Sequence, residues 1–254
     1  MKGALQKLFL VEVRRQWSVA AYFVPVALAA LSFLTALLTG RVQREYNFLR
    51  QAISLNLDFV LPLAAAIFSV GAISNDVKEG WIRTLLIRPI TRQQYLAVKL
   101  AAVYSSVVIT IVVAGVLPNV AVAAFFTNSP VQFDLARVLS VHALMLLQGF
   151  LYVVILLFLS CWLPGAFNVI ALALWAIVAS ALGAYIQVVH WMDKWLVILK
   201  DYFFPSGFWD SIDAITGRMA APVAELAWGF GALAVFLALA FWSISVIQVD
   251  KSSE

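Results

Sequence analysis

Long apolar runs separated by short polar segments dominate this chain. Residues 19–39 carry no charged side chain, and similar runs recur over about 55–74, 95–126, 138–163, 166–189 and 226–249. A helix of roughly 20 residues crosses a bilayer, so the pattern predicts six transmembrane helices. The first run is longer than a signal-peptide core and no convincing small-residue cleavage site follows it, so it reads as uncleaved. The third run is longer than a bilayer needs, and Gly115 and Pro118 predict a kink or an end within it. Pro164 and Gly165 predict a tight turn between the fourth and fifth runs.

The polar segments have patterns of their own. Residues 2–18 mix charges with Leu5, Leu8, Phe9, Val13 and Trp17. These five fall near one helical face, with Lys7 and Arg14 away from it, which predicts an amphipathic helix lying in the membrane interface. The longest connector, 190–222, carries Trp191, Trp195, Tyr202, Phe203, Phe204, Phe208 and Trp209. Such side chains favour the membrane–water boundary. Pro205, Ser206 and Gly207 predict a turn there, between short helices that rest on the interface or dip into it.

Composition agrees with this picture. The chain is 64% hydrophobic and only 12% charged, with a mean hydropathy of +0.96. A soluble domain is about half apolar and about a quarter charged, so lipid must cover what charge does not. The expected fold is therefore all-α and polytopic, with residues 1–254 forming one transmembrane domain. The net charge of +4 is explained by membrane orientation rather than nucleic acid, because no basic stripe carries interleaved stacking aromatics. With a cytoplasmic N-terminus and six spans, ten of the 17 Lys and Arg residues fall on the cytoplasmic side. The connector 190–222 is mildly acidic, so we expect both termini in the cytoplasm and that connector outside. Cys161 is the one cysteine, which excludes an intramolecular disulfide and a cysteine-based zinc site. It is expected to be a small buried apolar residue.

The densest charge cluster is NDVKEGWIRTLLIRPITRQQYLAVK, residues 75–99. Either Asn75 or Asp76 is expected to cap a short helix. Val77, Trp81, Leu85 and Ile82 would share one face of it, away from Lys78, Glu79 and Arg83. Pro89 should stop that helix, since the residue before proline disfavours helical geometry. Thr91 and Gln94 then have capping-box spacing at the start of the third span. The whole reads as a rigid handle joined to two membrane helices. A basic cytoplasmic loop that merely obeys charge bias is the alternative.

The run Glu79-Gly80, Thr84-Leu85-Leu86, Arg88-Pro89-Ile90-Thr91-Arg92 and Lys99 resembles the first cytoplasmic loop of type-2 ABC exporter permeases. In that family an acidic residue and a glycine precede a Thr-Leu pair and a hydrophobic turn. A Pro-(Ile/Leu/Val)-(Ser/Thr)-Arg run and a lysine follow. Here Trp81 and Ile82 come directly after Gly80, where family members commonly have threonine and leucine. The order of parts, from interfacial helix through six spans to a large connector before the last, is similar over the whole chain. The motif itself covers residues 75–99.

The resemblance implies that 76–92 is a coupling helix and loop seated on a separate cytoplasmic ABC ATPase. Two ATPases and two permeases, identical or not, would form the working unit. Asp76, Glu79, Arg83, Arg88 and Arg92 are then the expected contacts with the ATPase, while Gly80 and Pro89 shape the handle. The first, second and fifth spans would face the substrate path or the second permease. ATP and magnesium would be bound by the partner, and this chain would need no cofactor or metal of its own. Its location would be a bacterial plasma membrane. Consistently, the chain has no GxxxxGK[ST] phosphate loop and no Gly-Lys pair.

Other polar residues have plainer readings. His142 is expected to be structural or interfacial and His190 exposed. Asp58 could pair with Arg50 or Arg44 or line a polar entry and is expected to be a boundary residue, and Asn119 is expected to satisfy backbone freed beside Pro118. Gln148 is a polar group inside a span and a functional candidate on that ground. No Ser/His pair or paired carboxylates occur within the spans, which argues against a membrane enzyme. Two further functions stay open. One is an ABC-type complex that assembles or extracts a lipid or envelope component. The other is an ion-coupled secondary transporter, disfavoured by the near absence of charge at span centres.

Overall fold

The computed structural model describes residues 2–17, 22–23, 25–30, 33–34, 60–82, 90–118, 135–188, 205, 207–216 and 223–247. The first predicted span lies largely outside the described residues, as do Arg44, Arg50, Asp58, Arg83, Leu85, Arg88, Pro89, Asn119, His190, Trp191 and Asp201. Among the described residues the chain is all-helical, with no strand.

Eight helices carry the argument. They are α1 (Lys2–Gln16), α2 (Leu61–Ser69), α3 (Ser74–Lys78), α4 (Arg92–Ile111), α5 (Leu135–Ser160), α6 (Phe167–Val188), α7 (Gly207–Thr216) and α8 (Val223–Val246). Three segments are long and apolar enough to cross a membrane: Arg92–Val116, Leu139–Ser160 and Val223–Val246. The chain is thus an all-helical membrane protein with three candidate spans. They match the third, fourth and sixth predicted runs, while α6 follows the fifth.

The core is built around α5. Helices α2, α4, α6, α7 and α8 all pack on it, and Leu151, Ile155, Leu156 and Leu157 lie fully inside. In contrast α6 turns Phe167, Ile170, Leu174, Ile177 and Val178 outward, a face that suits lipid.

Local chemistry explains several boundaries. Thr91 caps α4: its hydroxyl accepts from Gln94 N–H at 3.2 Å, and Gln94 Oε1 accepts from Thr91 N–H at 3.1 Å. The expected capping box is present. At the far end α4 widens into a π turn at Val112–Val116, which contains Gly115. The helical path continues through Pro118, so glycine and proline are absorbed by a change of helix type. Gly165 adopts φ +56° in the turn between α5 and α6, as the Pro-Gly pair predicts.

Two expectations are corrected. The second run is not helical through residue 74. A tight turn follows α2, with Val70 at φ −54°, ψ 115° and Gly71 at φ +57°, and Ala72 N–H bonds to Ser69 O at 3.2 Å. This is type II turn geometry, which requires glycine at its third position. The handle is also not one continuous helix from residue 75: the first helix ends at Lys78, and residues 81–82 are helical again after the turn at Glu79 and Gly80. Gly80 adopts φ +69° and donates its N–H to Val77 O at 3.1 Å, a common way to end a helix.

Glycine also sets the closest helix contacts. A Cβ on Gly207 would lie 2.3 Å from Glu225 O and 2.6 Å from Gly229 N. A Cβ on Gly229 would meet the Phe208 ring at 2.9 Å. Membrane helices associate through such close approaches, because lipid removes the hydrophobic drive between them. Gly207→Ala should therefore push α7 off α8 and cost ~1–3 kcal/mol. Gly231→Ala, where a Cβ meets nothing within 4 Å, should be neutral or slightly stabilising. Thermal unfolding of both variants in detergent checks the contrast, and equal melting points would contradict it.

Candidate functional site

The charged segment after α2 folds onto α1 and α4 through a compact ionic network. Helix α1 supplies Glu12 and Arg15. Its inward stripe is Leu5, Leu8, Phe9, Glu12, Val13, Gln16 and Trp17, the predicted apolar face with two polar residues set into it. Helix α4 supplies Tyr95 and Lys99 from its first two turns. Helix α3 supplies Asp76, with Glu79 following it.

Asp76 is the centre. It is 1% exposed and receives three donors. Arg15 Nη1 reaches Oδ1 at 2.5 Å, while Tyr95 Oη and Lys99 Nζ reach Oδ2 at 2.5 and 2.7 Å. Lys99 Nζ also donates to Glu12 Oε2 at 2.7 Å, and Arg15 Nη2 donates to Glu79 Oε2 at 2.8 Å. Glu12 and Lys99 are buried with it. Three acids thus share two bases: Glu12, Asp76 and the largely exposed Glu79 against Arg15 and Lys99. Burying such groups without partners would be strongly unfavourable. Opposite charge at hydrogen-bond distance offsets the cost of placing them in the interior. For Arg15, burial lowers the pKa, but the charge and hydrogen bond of Asp76, with Glu12 and Glu79, outweigh it and leave the pKa raised.

Backbone ties fix α3 in place. Ile73 and Ser74 N–H both donate to Ser160 Oγ at 3.0 and 3.2 Å, so the end of α5 serves the N–H groups that α3 leaves open. Gly165 N–H donates to Ser74 Oγ at 3.1 Å. Asn168 Nδ2 donates to Ser69 O at 2.9 Å and Leu156 O at 3.3 Å, holding the C-terminal ends of α2 and α5 to α6. Near the end of α1, Trp17 Nε1 donates to Ser106 Oγ at 3.0 Å, and that hydroxyl donates to Gln16 Oε1 at 2.9 Å.

The expected partner contacts separate into distinct roles. Asp76 does not face outward: it lies inside the helix rather than capping it, and three donors hold it there. Asn75 also lies within α3, whose first residue is preceded by Ile73 with no side-chain cap. Glu79 remains on the surface, its side chain 60% exposed. Gly80 terminates α3. Arg92 is half-buried, and its Nη1 donates to Ser245 O at 3.2 Å and Ile247 O at 2.7 Å. It neutralises carbonyls at the end of α8, where a cation suits the helix dipole. On the predicted shared face Ile82 is buried and Trp81 is exposed. Arg83, Arg88 and Pro89 lie outside the described residues.

Elsewhere, His142 is buried rather than at the surface. Gln148 is buried, and its Nε2 reaches Pro205 O at 3.4 Å. Phe208 and Ile212 of the long connector enter the core, so one face of α7 packs on the bundle while Asp210 on it stays exposed. Among the described residues no group of three or more His, Cys, Asp or Glu is placed to hold a metal.

Sequence reasoning passed over Glu12, Ser160, Asn168 and the inward turn of Asp76. Lys99 and Glu12 did carry a signal: each is a charge on an otherwise apolar helical stripe. Removing one partner from a buried ion pair typically costs ~3–5 kcal/mol, because its mate is left uncompensated. Asp76→Ala and Lys99→Ala should each destabilise by about that much, and the double variant by less than their sum, with a coupling of ~0.5–3 kcal/mol. Glu79→Ala, at an exposed pair, should lose little. A double-mutant cycle on unfolding in detergent measures all of these, and strict additivity would contradict the network.

No curated protein matches the chain. Residues 15–252 match a family described as "Protein of unknown function (DUF2705)". That match covers every member of the network except Glu12, and all three candidate spans, and the chain belongs to this family.

Proposed function

We propose that the chain is the permease subunit of an ATP-driven ABC transporter of the type-2 exporter class. It works with a separate cytoplasmic ATPase. The observation that carries this reading is the ionic network at the root of residues 76–92. A loop that transmits force must be stiffly joined to what it moves. Here α3 is bonded at once to α1, α4 and α5, while Glu79 stays on the surface. A solvated loop obeying charge bias alone would not need a buried carboxylate with three donors. The motif Glu79-Gly80 through Arg88-Pro89-Ile90-Thr91-Arg92 supports the same reading.

In this mechanism, ATP and magnesium bind the ATPase, and closure of two ATPases pulls on the two loops of a permease pair. Asp76 and Lys99 turn that pull into joint movement of α1, α3 and α4. Glu79, Arg83 and Arg88 make the contact. Arg92 keeps α8 attached to the moving end of α4. Three further spans, over 19–39, the run that ends with α2 at Ser69, and 166–189, complete a six-helix permease in a bacterial plasma membrane. Both termini lie in the cytoplasm, and α1 lies in the interface.

An ABC complex that extracts or assembles an envelope component uses the same parts and differs only in cargo. The buried Glu12–Lys99–Asp76 cluster favours a second reading, an ion-coupled transporter in which these acids exchange protons. The cluster lies within the first turns of α4 rather than at mid-span, so coupling to the loop accounts for it better.

Replacing Glu79 and Arg83 together with alanine should leave insertion intact and uncouple ATP use from transport. ATP turnover and cargo movement in reconstituted vesicles read this out. Unchanged transport by a correctly inserted variant would contradict the proposal. Cysteines near Arg83 should label from the cytoplasm alone, and those near Asp201 from outside alone. Reversed labelling would overturn the orientation.

A further inference from the structure

A groove of about 820 Å³ runs beside α3, within the size range of ligand clefts. Three helix ends meet there: the end of α5, the start of α6 and the end of α8. Both α5 and α8 contain candidate spans, so the groove sits where the chain leaves the membrane. Two exposed tryptophans suit that level. Trp162 lies in the groove wall, and its ring centroid is 6.3 Å from that of Trp242. Both are more than half exposed, as expected of side chains at headgroup depth. Trp162 is oriented by its Nε1–H, which donates to Ser243 Oγ at 3.0 Å.

The walls differ in chemistry. Trp162, Phe167 and Ile170 form an outward apolar side. Lys78 forms the polar side and, among the described residues, is the one charged side chain lining the groove. Its neighbour Glu79 is engaged by Arg15. An apolar wall at headgroup depth facing a cation matches an amphiphile with an anionic head.

We propose that this groove holds an anionic phospholipid, its phosphate against the Lys78 ammonium and its acyl chains along Phe167 and Ile170. The lipid would then touch α3 directly, so the surrounding leaflet would bear on the same element as the ionic network. The site is independent of ATPase coupling and can fail without it.

Tryptophan quenching tests this with the full chain in phosphatidylcholine vesicles. These contain equal mole fractions of brominated phosphatidylglycerol or brominated phosphatidylcholine. The Trp162 signal is the difference between the wild type and Trp162→Phe. A lysine near an anionic surface is worth roughly fivefold in binding. The brominated anionic lipid should therefore quench Trp162 at roughly fivefold lower mole fraction. Lys78→Ala should remove that preference and Lys78→Arg should keep it. Native mass spectrometry should find phosphatidylglycerol retained by the wild type and lost from Lys78→Ala.

Equal quenching by the two lipids would overturn the proposal, as would a preference that survives Lys78→Ala. Absence of quenching by either lipid would mean that protein covers the groove. Reversal by excess inorganic phosphate would mean that the site takes a free anion. Either outcome would also overturn it.

Discussion

One buried carboxylate organises the end of the protein where α1, α3 and α4 meet. Asp76 lies where an isolated charge would be strongly unfavourable. It is held there by Arg15, Tyr95 and Lys99, which come from two other helices. Glu12 supplies the second acid that Lys99 needs. Such a network adds little stability beyond a well-packed apolar core, but loss of one member leaves a stranded charge. Its effect is therefore to fix geometry. Helix α3 has only five residues and could not hold an orientation by itself. Bonded to three helices, it becomes a rigid part.

The rest of the bundle follows the same logic at lower charge. Lipid gives membrane helices no reason to associate through apolar area alone. Close approaches and polar ties at helix ends take over. Gly207 and Gly229 let α7 and α8 touch, while Ser160, Asn168 and Arg92 satisfy backbone groups of neighbouring helices. Most of these ties gather at the level of α3. A push there would spread to α1, α2, α4, α5 and α8 together, as a force-transmitting handle requires.

Much of this was legible in the sequence. Apolar runs located α4, α5, α6 and α8, because membrane spans need continuous apolar length. The capping box at Thr91 and Gln94 and the Pro164-Gly165 turn were local, so local reasoning found them. The buried network was not local. Its ion pairs join residues 61 and 87 positions apart, and no spacing rule reaches that far. Asp76 looked like a surface residue because it stands in a charged loop. Only its three-dimensional neighbours turn it inward. The break in the handle at Gly80 was missed because Pro89 offered the more familiar signal, although glycine past a helix end is equally informative.

The most direct test of the account is purification of the tagged full chain at native expression level in mild detergent, with quantitative mass spectrometry of what accompanies it. The account predicts a soluble ABC ATPase at close to one copy per permease. Intact, correctly inserted protein that brings down no ATPase would contradict it. The buried cluster would then have to be explained as proton coupling.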